Sequence, residues 1–299
     1  MSEICVSEPT AAGRPSSAGP HFGSWEQAVA WIRAQQAHQK LVVDAYYDDP
    51  LVDAATRYWR SEEWQALRAR LPELRGAALD VGAGRGIASF ALAKEGFRVT
   101  ALEPDGSALV GAEAIRGLAH QTGLPIEVTQ EFSERLPFAD ASFDLVFARA
   151  VLHHTADLKV ACREFHRVLK PGGRLLAIRE HVISKPEDLR AFLDIHPLHK
   201  LYGGENAFLL NEYCAAIEAA GLHLSTVLAP FDSAINFAPH SLQSLRSEIA
   251  ARACGGIVGL RSALAAVLSV RPVWALVRRV LNRVDRRPGR LYSFVADRP

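Results

Sequence analysis

Residues 78–86 read Ala78-Leu79-Asp80-Val81-Gly82-Ala83-Gly84-Arg85-Gly86. An apolar run, Ala77 to Leu79 with Val81, stops at three glycines spaced by two. A second apolar segment with Ile87, Phe90, Ala91 and Leu92 follows at once. The first run predicts a buried parallel strand and the second a helix, joined by a tight turn. A turn without Cβ atoms lets a ligand approach the backbone, and the helix start presents unpaired N–H groups. The turn is therefore built for a nucleotide-like ligand. A dinucleotide fingerprint, G-x-G-x-x-G, would need a third glycine at position 87, where this chain has Ile87. The pattern is instead acid-x-G-x-G-x-G, with Asp80 as the acid.

Downstream features extend the same pattern. Val99 to Leu102 predicts a short strand ending at Glu103, 17 residues beyond Gly86. An acid there can accept both hydroxyls of a ribose. Then come Glu134-Arg135-Leu136-Pro137-Phe138, Ser142 to Phe147, and Val151-Leu152-His153-His154. Arg167 to Leu175 contains Pro171-Gly172-Gly173, expected to stop one helix and turn the chain into the next strand. In this order, over residues 76 to 180, the stretches resemble the class I S-adenosylmethionine (SAM)-dependent methyltransferases of type 11.

The resemblance implies an α/β fold: a doubly wound, Rossmann-like, seven-stranded sheet. It implies SAM as cofactor, held by Asp80, Gly82, Ala83, Gly84, Gly86, Glu103, Pro104, Ser133, Glu134 and Arg149. Phe132 stands where relatives often carry the Asp that meets the adenine amino group, so Glu131 or the Ser133 backbone would take that contact. No metal is required, because the SAM sulfonium is already activated and the protein mainly positions the acceptor.

Composition sets the outer bounds. The chain has 299 residues, 49% of them hydrophobic, enough for one large α/β domain with additions. No apolar run approaches the roughly 20 residues of a membrane span. The start of the chain lacks a basic, then apolar, signal pattern, and a cytoplasmic protein is expected. Cys5, Cys162, Cys214 and Cys254 are scattered without C-x-x-C spacing, which argues against a disulfide framework or zinc ribbon. The net charge of +1 conceals an asymmetry: residues 261–290 hold eight Arg and one Asp, so the rest of the chain is acidic.

The expected organisation is a disordered stretch over 1–22, cap helices over 23–72 and a SAM-binding core over 73–230. A helical insertion over 231–290 and a last core strand over 291–299 follow. Ser24 with Gln27 reads as a capping box opening a helix through about residue 45, and a second helix is expected over 51–71. Residues 207–220 read as an amphipathic helix and 222–229 as the sixth strand. In the insertion, Val273, Leu276, Val277, Val280, Leu281 and Val284 recur at helical spacing, with Arg278, Arg279, Arg283, Arg286 and Arg287 on the other face. A basic amphipathic helix of this kind, within 261–287, suits peripheral contact with the inner face of an anionic membrane, or an acidic partner. No aromatic-basic interleaving points to nucleic acid.

A hydroxyl acceptor needs a general base, and histidine suits that role near neutral pH. His153 and His154 follow the fourth strand and His181 the fifth, at the carboxyl ends where ligands bind in such sheets. Glu180 is expected to orient His181. His196, His199, Tyr202 and Glu205, with Tyr46, are candidates for the acceptor pocket. The segments Tyr46-Tyr47-Asp48-Asp49 and His196 to Asn206 resemble methyltransferases of bacterial surface-glycan synthesis. The expected reaction is O-methylation of a small-molecule or glycan hydroxyl. A lipid or quinone acceptor, a nicotinamide oxidoreductase and a non-catalytic SAM-fold module remain as alternatives.

Overall fold

The computed structural model describes residues 20–254 and 258–299. The expectation for 1–22 therefore falls mostly outside the described residues. Its last residues are packed: Phe22 donates its N–H to the Leu201 carbonyl (2.8 Å) and its ring meets Trp31.

Helices α1 (Trp25–Ala34), α2 (Gln39–Asp44), α3 (Leu51–Arg60) and α4 (Glu62–Arg68) precede the sheet. Two expected continuous helices are thus broken. The first breaks at Gln35, which is extended, and the second at Ser61, whose hydroxyl accepts from Trp64 N and starts α4 as an N-cap. The Ser24 cap forms as expected, with its hydroxyl accepting from Gln27 N.

The core then alternates β1 (Ala77–Val81), α5 (Ile87–Lys94), β2 (Arg98–Leu102), α6 (Ala112–Thr122), β3 (Ile126–Thr129), β4 (Phe143–Arg149), α7 (Leu158–Val168) and β5 (Leu169–Ile183). Next come α8 (Asp188–Ile195), α9 (Pro197–Leu201), β6 (Phe208–Leu209), α10 (Leu210–Ala219) and β7 (His223–Leu228). Between β7 and the last strand, β8 (Arg290–Asp297), lie α11 (Ala234–Phe237), α12 (Leu242–Ala253), α13 (Val258–Ser269) and α14 (Arg271–Val284).

The sheet runs β3-β2-β1-β4-β5-β8-β7, with the two-residue β6 pairing separately to β5. Strands β1 to β5 are mutually parallel, and β8 is antiparallel to both its neighbours. This is the doubly wound α/β fold, with one short strand more than the expected seven. Strand order reverses at β1, between β2 and β4, and such reversals open the crevice in which ligands bind. Pro171-Gly172-Gly173 lies inside β5 and not before it. Gly172 and Gly173 pair there with the backbone of Arg298, and α7 has already ended at Val168.

Two apolar clusters cover the sheet faces. One, with Phe165, Tyr213 and Phe294, lies under α7 and α10, and the other, with Tyr58, Trp64 and Phe97, lies under α3 to α5. A third joins α1 and α2 to α9 through Ala28, Ile32, Val42 and Leu201. Segments far apart in sequence thus form one cap over the carboxyl end of the sheet.

Candidate active site

The glycine turn has the strained backbone its sequence calls for: Gly82, Gly84 and Gly86 have φ of 60°, 54° and 81°. A Cβ on Gly82 would stand 2.7 Å from Val151 Cγ2, so the turn packs on the loop after β4. A Cβ on Gly84 would meet nothing nearer than 3.9 Å, which leaves that side open to a ligand. Ala83 N ties the turn to β2 through the Leu102 carbonyl (3.1 Å). At the end of β2 the Glu103 carboxylate accepts from Gly84 N (2.7 Å) and Asp105 N (2.9 Å). Burial raises its pKa above the ordinary carboxylate value. Pro104 is exposed beside it. A carboxylate next to an open glycine turn fits a ribose and a charged amino-acid tail, the parts SAM presents.

Other expected cofactor residues face elsewhere. Asp80 points inward and accepts from Ser89 Oγ (2.6 Å), bracing β1 to α5. Burial raises its pKa to about 7 against the pull of that hydroxyl. Glu134 accepts from Ala156 N (2.7 Å) and from Ser133 Oγ (3.0 Å), clamping the loop after β4. Phe132 is 65% exposed, a bare ring on the side where the resemblance puts adenine. The Arg149 guanidinium is turned away from the turn. It pairs with the buried Glu63, Nε to Oε1 at 2.7 Å, and lies over the Tyr46 and Tyr58 rings. Tyr46 is itself buried, and its ring packs on Tyr58 at 5.3 Å, so the structure does not set it in an acceptor pocket.

The histidines converge. β4 runs into a 3-10 turn, Leu152–His154, which sets His153 and His154 side by side with ring centroids 4.1 Å apart. Glu180, on β5, accepts the backbone N–H groups of Val151, Leu152 and His153, each at 3.1 Å. It also bonds His153 Nδ1 at 2.7 Å. This corrects two expectations: Glu180 orients His153, not His181, and it is wholly buried, with no side left for an acceptor. His181 Nδ1 is held by the Gly289 carbonyl (2.9 Å), and its ring rests on Phe192. His154 Nδ1 is held by the Gly204 carbonyl (2.9 Å).

Glu205 stands among these rings. Its Oε2 lies 3.5 Å from His153 Nε2 and 3.8 Å from His154 Nε2, and its Oε1 lies 3.6 Å from His196 Nδ1. His196 also caps α9 by accepting from His199 N (3.3 Å). His199 lies one turn further along, and Tyr202 is at the rim, its ring 6.0 Å from that of Trp25.

Burial works against the His153 cation, but its bonds to Glu180 and Glu205 prevail and hold its pKa at about 9. Burial also opposes the Glu205 carboxylate, and the surrounding imidazoles overcome it, holding its pKa near about 2. His181 is driven down to about 3 by burial and then by the His153 charge. The same two causes lower His154. His153 is therefore an imidazolium near neutrality, and His181 and His154 are neutral. Only His154 combines neutrality with substantial exposure, 43% of its side chain.

A pKa raised by folding stabilises the protein below its unfolded value, near 6.5, and that stabilisation is lost as pH rises through the folded value. The thermal stability gap between wild type and His153→Asn should therefore narrow as pH climbs from about 6.5 through about 9. Melting curves across this range check it, and a gap independent of pH would mean that His153 is neutral.

The sequence assigned no site role to Trp25, Glu63 or Gly289, and Tyr47 and Gly204 entered only as parts of the segments 46–49 and 196–206. Tyr47 packs edge-on against Trp25 at 6.1 Å, and burial, then Glu205, raises its phenol pKa. Gly204 and Gly289 contribute only a carbonyl each, which no side-chain pattern signals. Glu63 falls inside the helix expected over 51–71, beside another acid, with nothing in the sequence to mark it as buried.

Residues 79–177 match the family described as Methyltransferase domain. Over 207 residues the chain is 31% identical to Methyltransferase GfsG of Streptomyces halstedii, which covers 67% of this chain and 71% of that one. The chain belongs to the class I SAM-dependent methyltransferases. This methyltransferase is also 32% identical over 168 residues to O-methyltransferase resE of Aspergillus sclerotiorum, covering 54% of this chain and 62% of that one. It is 33% identical over 160 residues to the ubiquinone/menaquinone biosynthesis C-methyltransferase UbiE of Nitrobacter hamburgensis, covering 50% and 62%. The matched part thus spans less than two thirds of either of these two relatives. In fold it is similar to geranyl diphosphate C-methyltransferase from Streptomyces coelicolor, with a TM-score of 0.56 at 16% identity, covering 85% of this chain and 84% of that one.

Proposed function

We propose that the methyltransferase moves the SAM methyl group to an oxygen of a small molecule or glycan, in line, with proton removal beside His154 and Glu205. SAM supplies the activated methyl. The chain's own residues seat the cofactor at Glu103 and the glycine turn and receive the acceptor's proton. The observation that carries this reading is the orientation of His154. Its Nδ1 is committed to the Gly204 carbonyl, so the neutral ring keeps its lone pair on Nε2, with Glu205 Oε2 3.8 Å away and 43% of the side chain exposed. An imidazolium formed there gains a carboxylate neighbour. His153 is already protonated and His181 is walled in by Phe192 and Gly289, so neither serves as the base.

The test is an acceptor screen with labelled SAM, using Glu103→Ala as the control that loses cofactor. Hydroxylated polyketides, nucleotide sugars, lipid-linked glycans and demethylated quinones form the panel. Methyl ether products support the reading. Turnover on the quinone ring carbon alone would replace it with C-methylation, the activity named for the UbiE relative.

The acceptor is proposed to lie at a membrane surface, because of how α13 and α14 are set. The inward side of α14 carries Trp274, Arg278 and Asn282, with Asn282 bonding the Asp232 side chain and the Phe231 N–H. Leu276, Val280 and Val284 are more than half exposed, one turn apart, beside the exposed Arg279 and Arg283. Val267, Val270 and Leu260 continue the apolar surface, with Arg261 and Arg271 beside them. Among the described residues no single helix is long and apolar enough to cross a membrane. The pair Gly259–Ser269 and Arg271–Val284 passes only together and is bent by 98°.

An apolar row flanked by arginines suits lying in the headgroup region of an anionic bilayer. Leu276→Asp with Val280→Asp should reduce co-sedimentation with anionic vesicles about tenfold or more, since each buried apolar side chain contributes about 1.5–3 kcal/mol. The melting temperature should stay unchanged, because both side chains are exposed. Equal sedimentation of variant and wild type would remove the membrane from the account.

A further inference from the structure

Two carboxylates, Glu180 and Glu205, are buried within a few ångström of one imidazole, and among the described residues no Lys or Arg pairs with either. Burying anions without counter-charge is costly. The donor atoms are also arranged in an unusual way. His153 Nδ1 is fixed by the Glu180 carboxylate at 2.7 Å and His154 Nδ1 by the Gly204 carbonyl at 2.9 Å. Both partners are acceptors, so both rings must carry hydrogen on Nδ1, and their Nε2 atoms turn toward a third acceptor, Glu205 Oε2. The three atoms thus converge with Glu205 Oε2 at 3.5 and 3.8 Å from the two Nε2 atoms, a spacing that leaves room for a cation between them, which would displace any hydrogen on Nε2.

We propose that His153 Nε2, His154 Nε2 and Glu205 Oε2 form a binding site for one divalent first-row transition ion of the zinc or cobalt type. The three donors lie within 4.8 Å of one another. Ligands about 2.0–2.1 Å from a tetrahedral ion stand roughly 3.3 Å apart, so closing on it needs shifts of only a few tenths of an ångström on the carboxylate edges. The outer partners are in place as well. A carboxylate on one Nδ1 and a backbone carbonyl on the other are the contacts that fix the tautomer and orientation of metal-binding histidines. Two imidazoles with one carboxylate favour zinc, cobalt, nickel or iron over magnesium and calcium, which take oxygen shells. The site opens where His154 is 43% exposed, so an open coordination position faces arriving ligands. That this ligand is the acceptor oxygen, polarised by the ion in place of deprotonation by His154, rests on the O-methyl transfer reading. Binding of the ion does not.

The test is equilibrium dialysis of the tag-free full chain against Zn2+ and Co2+, with Mg2+ as comparison and thermal melting as a second readout. Wild type should bind one equivalent of Zn2+ tightly and melt higher with it. His154→Ala and Glu205→Gln should each weaken binding by more than the about 10–100-fold typical of losing an outer partner. The exposed His154 makes its variant safe for folding, and Mg2+ should raise the melting temperature of none of the three proteins. No equimolar binding by wild type, or equal binding by wild type and both variants, overturns the site. Methyl transfer to oxygen without ion binding overturns the site and keeps the reading above. Ion binding with no oxygen acceptor found keeps the site and removes that reading.

Discussion

His154→Ala is expected to lower kcat by about 10²–10⁴-fold, the usual contribution of a general base, while SAM affinity stays at the wild-type value. The reason is spatial. His154 lies beyond β4, on the acceptor side of the crevice, and touches neither Glu103 nor the glycine turn, which receives its packing from Val151. Its Nδ1 bond to Gly204 keeps Nε2 as the proton-accepting atom. Glu205→Gln should lower kcat less, because it removes the charge beside the nascent imidazolium and leaves the base itself. Steady-state kinetics with calorimetric SAM titration separate these effects. A wild-type kcat for His154→Ala would place proton removal elsewhere, and a loss confined to SAM affinity would make His154 a cofactor contact.

Glu63→Ala is expected to cost about 3–5 kcal/mol of stability, the price of leaving a buried charge unpaired. Glu63 is 1% exposed and holds Arg149 at 2.7 Å, with Arg179 at 3.7 Å from its other oxygen. Burial opposes its carboxylate, but the two guanidinium charges outweigh this and lower its pKa. The Arg149 pKa is raised in return, because Glu63 overcomes the burial that would lower it. Removing Glu63 therefore strands Arg149 over Tyr46 and Tyr58 and leaves Arg179 with only the Ile235 and Ala238 carbonyls. At about 2–4 °C per kcal/mol for a chain of some 200 residues or more, the melting temperature should fall by roughly 10 °C. Glu63→Leu combined with Arg149→Met should recover part of the loss, since well-packed apolar replacements of buried pairs are often tolerated. Melting of the single and double variants decides it. A single variant as stable as wild type would mean that Arg149 finds water or another partner.

This ion pair also shows where reading the sequence stops. Glu63 and Arg149 are 86 positions apart, and nothing local relates them. In the helix expected over 51–71 an acid beside another acid is an ordinary choice for solvent, and an arginine at the end of β4 lies where the resemblance puts cofactor contacts. Only the packing of α4 against the carboxyl end of the sheet turns both side chains inward. The same holds for Glu180, which adjacency in sequence pairs with His181. In a strand, successive side chains point to opposite faces. Neighbours on β5 therefore approach His153, on the turn after the adjacent strand, in different ways: Glu180 bonds its Nδ1, and the His181 ring packs edge-on against it at 4.7 Å.

What the sequence by itself determined is the strand-turn-helix that cradles the cofactor, Glu103 at the next strand end, and the order of the parallel core. These depend on interactions within some 25 residues: alternation of apolar runs, glycines that alone accept positive φ, and capping side chains. What only the tertiary structure decided is the composition of the proposed acceptor site. His153, His154 and Glu205 come together because β4 and the segment after α9 end at the same edge of the sheet under one cap. The roles of these histidines are set by one carbonyl, of Gly204, and two carboxylates, of Glu180 and Glu205. Burial and long-range charge set their protonation, and neither quantity exists until the chain has folded.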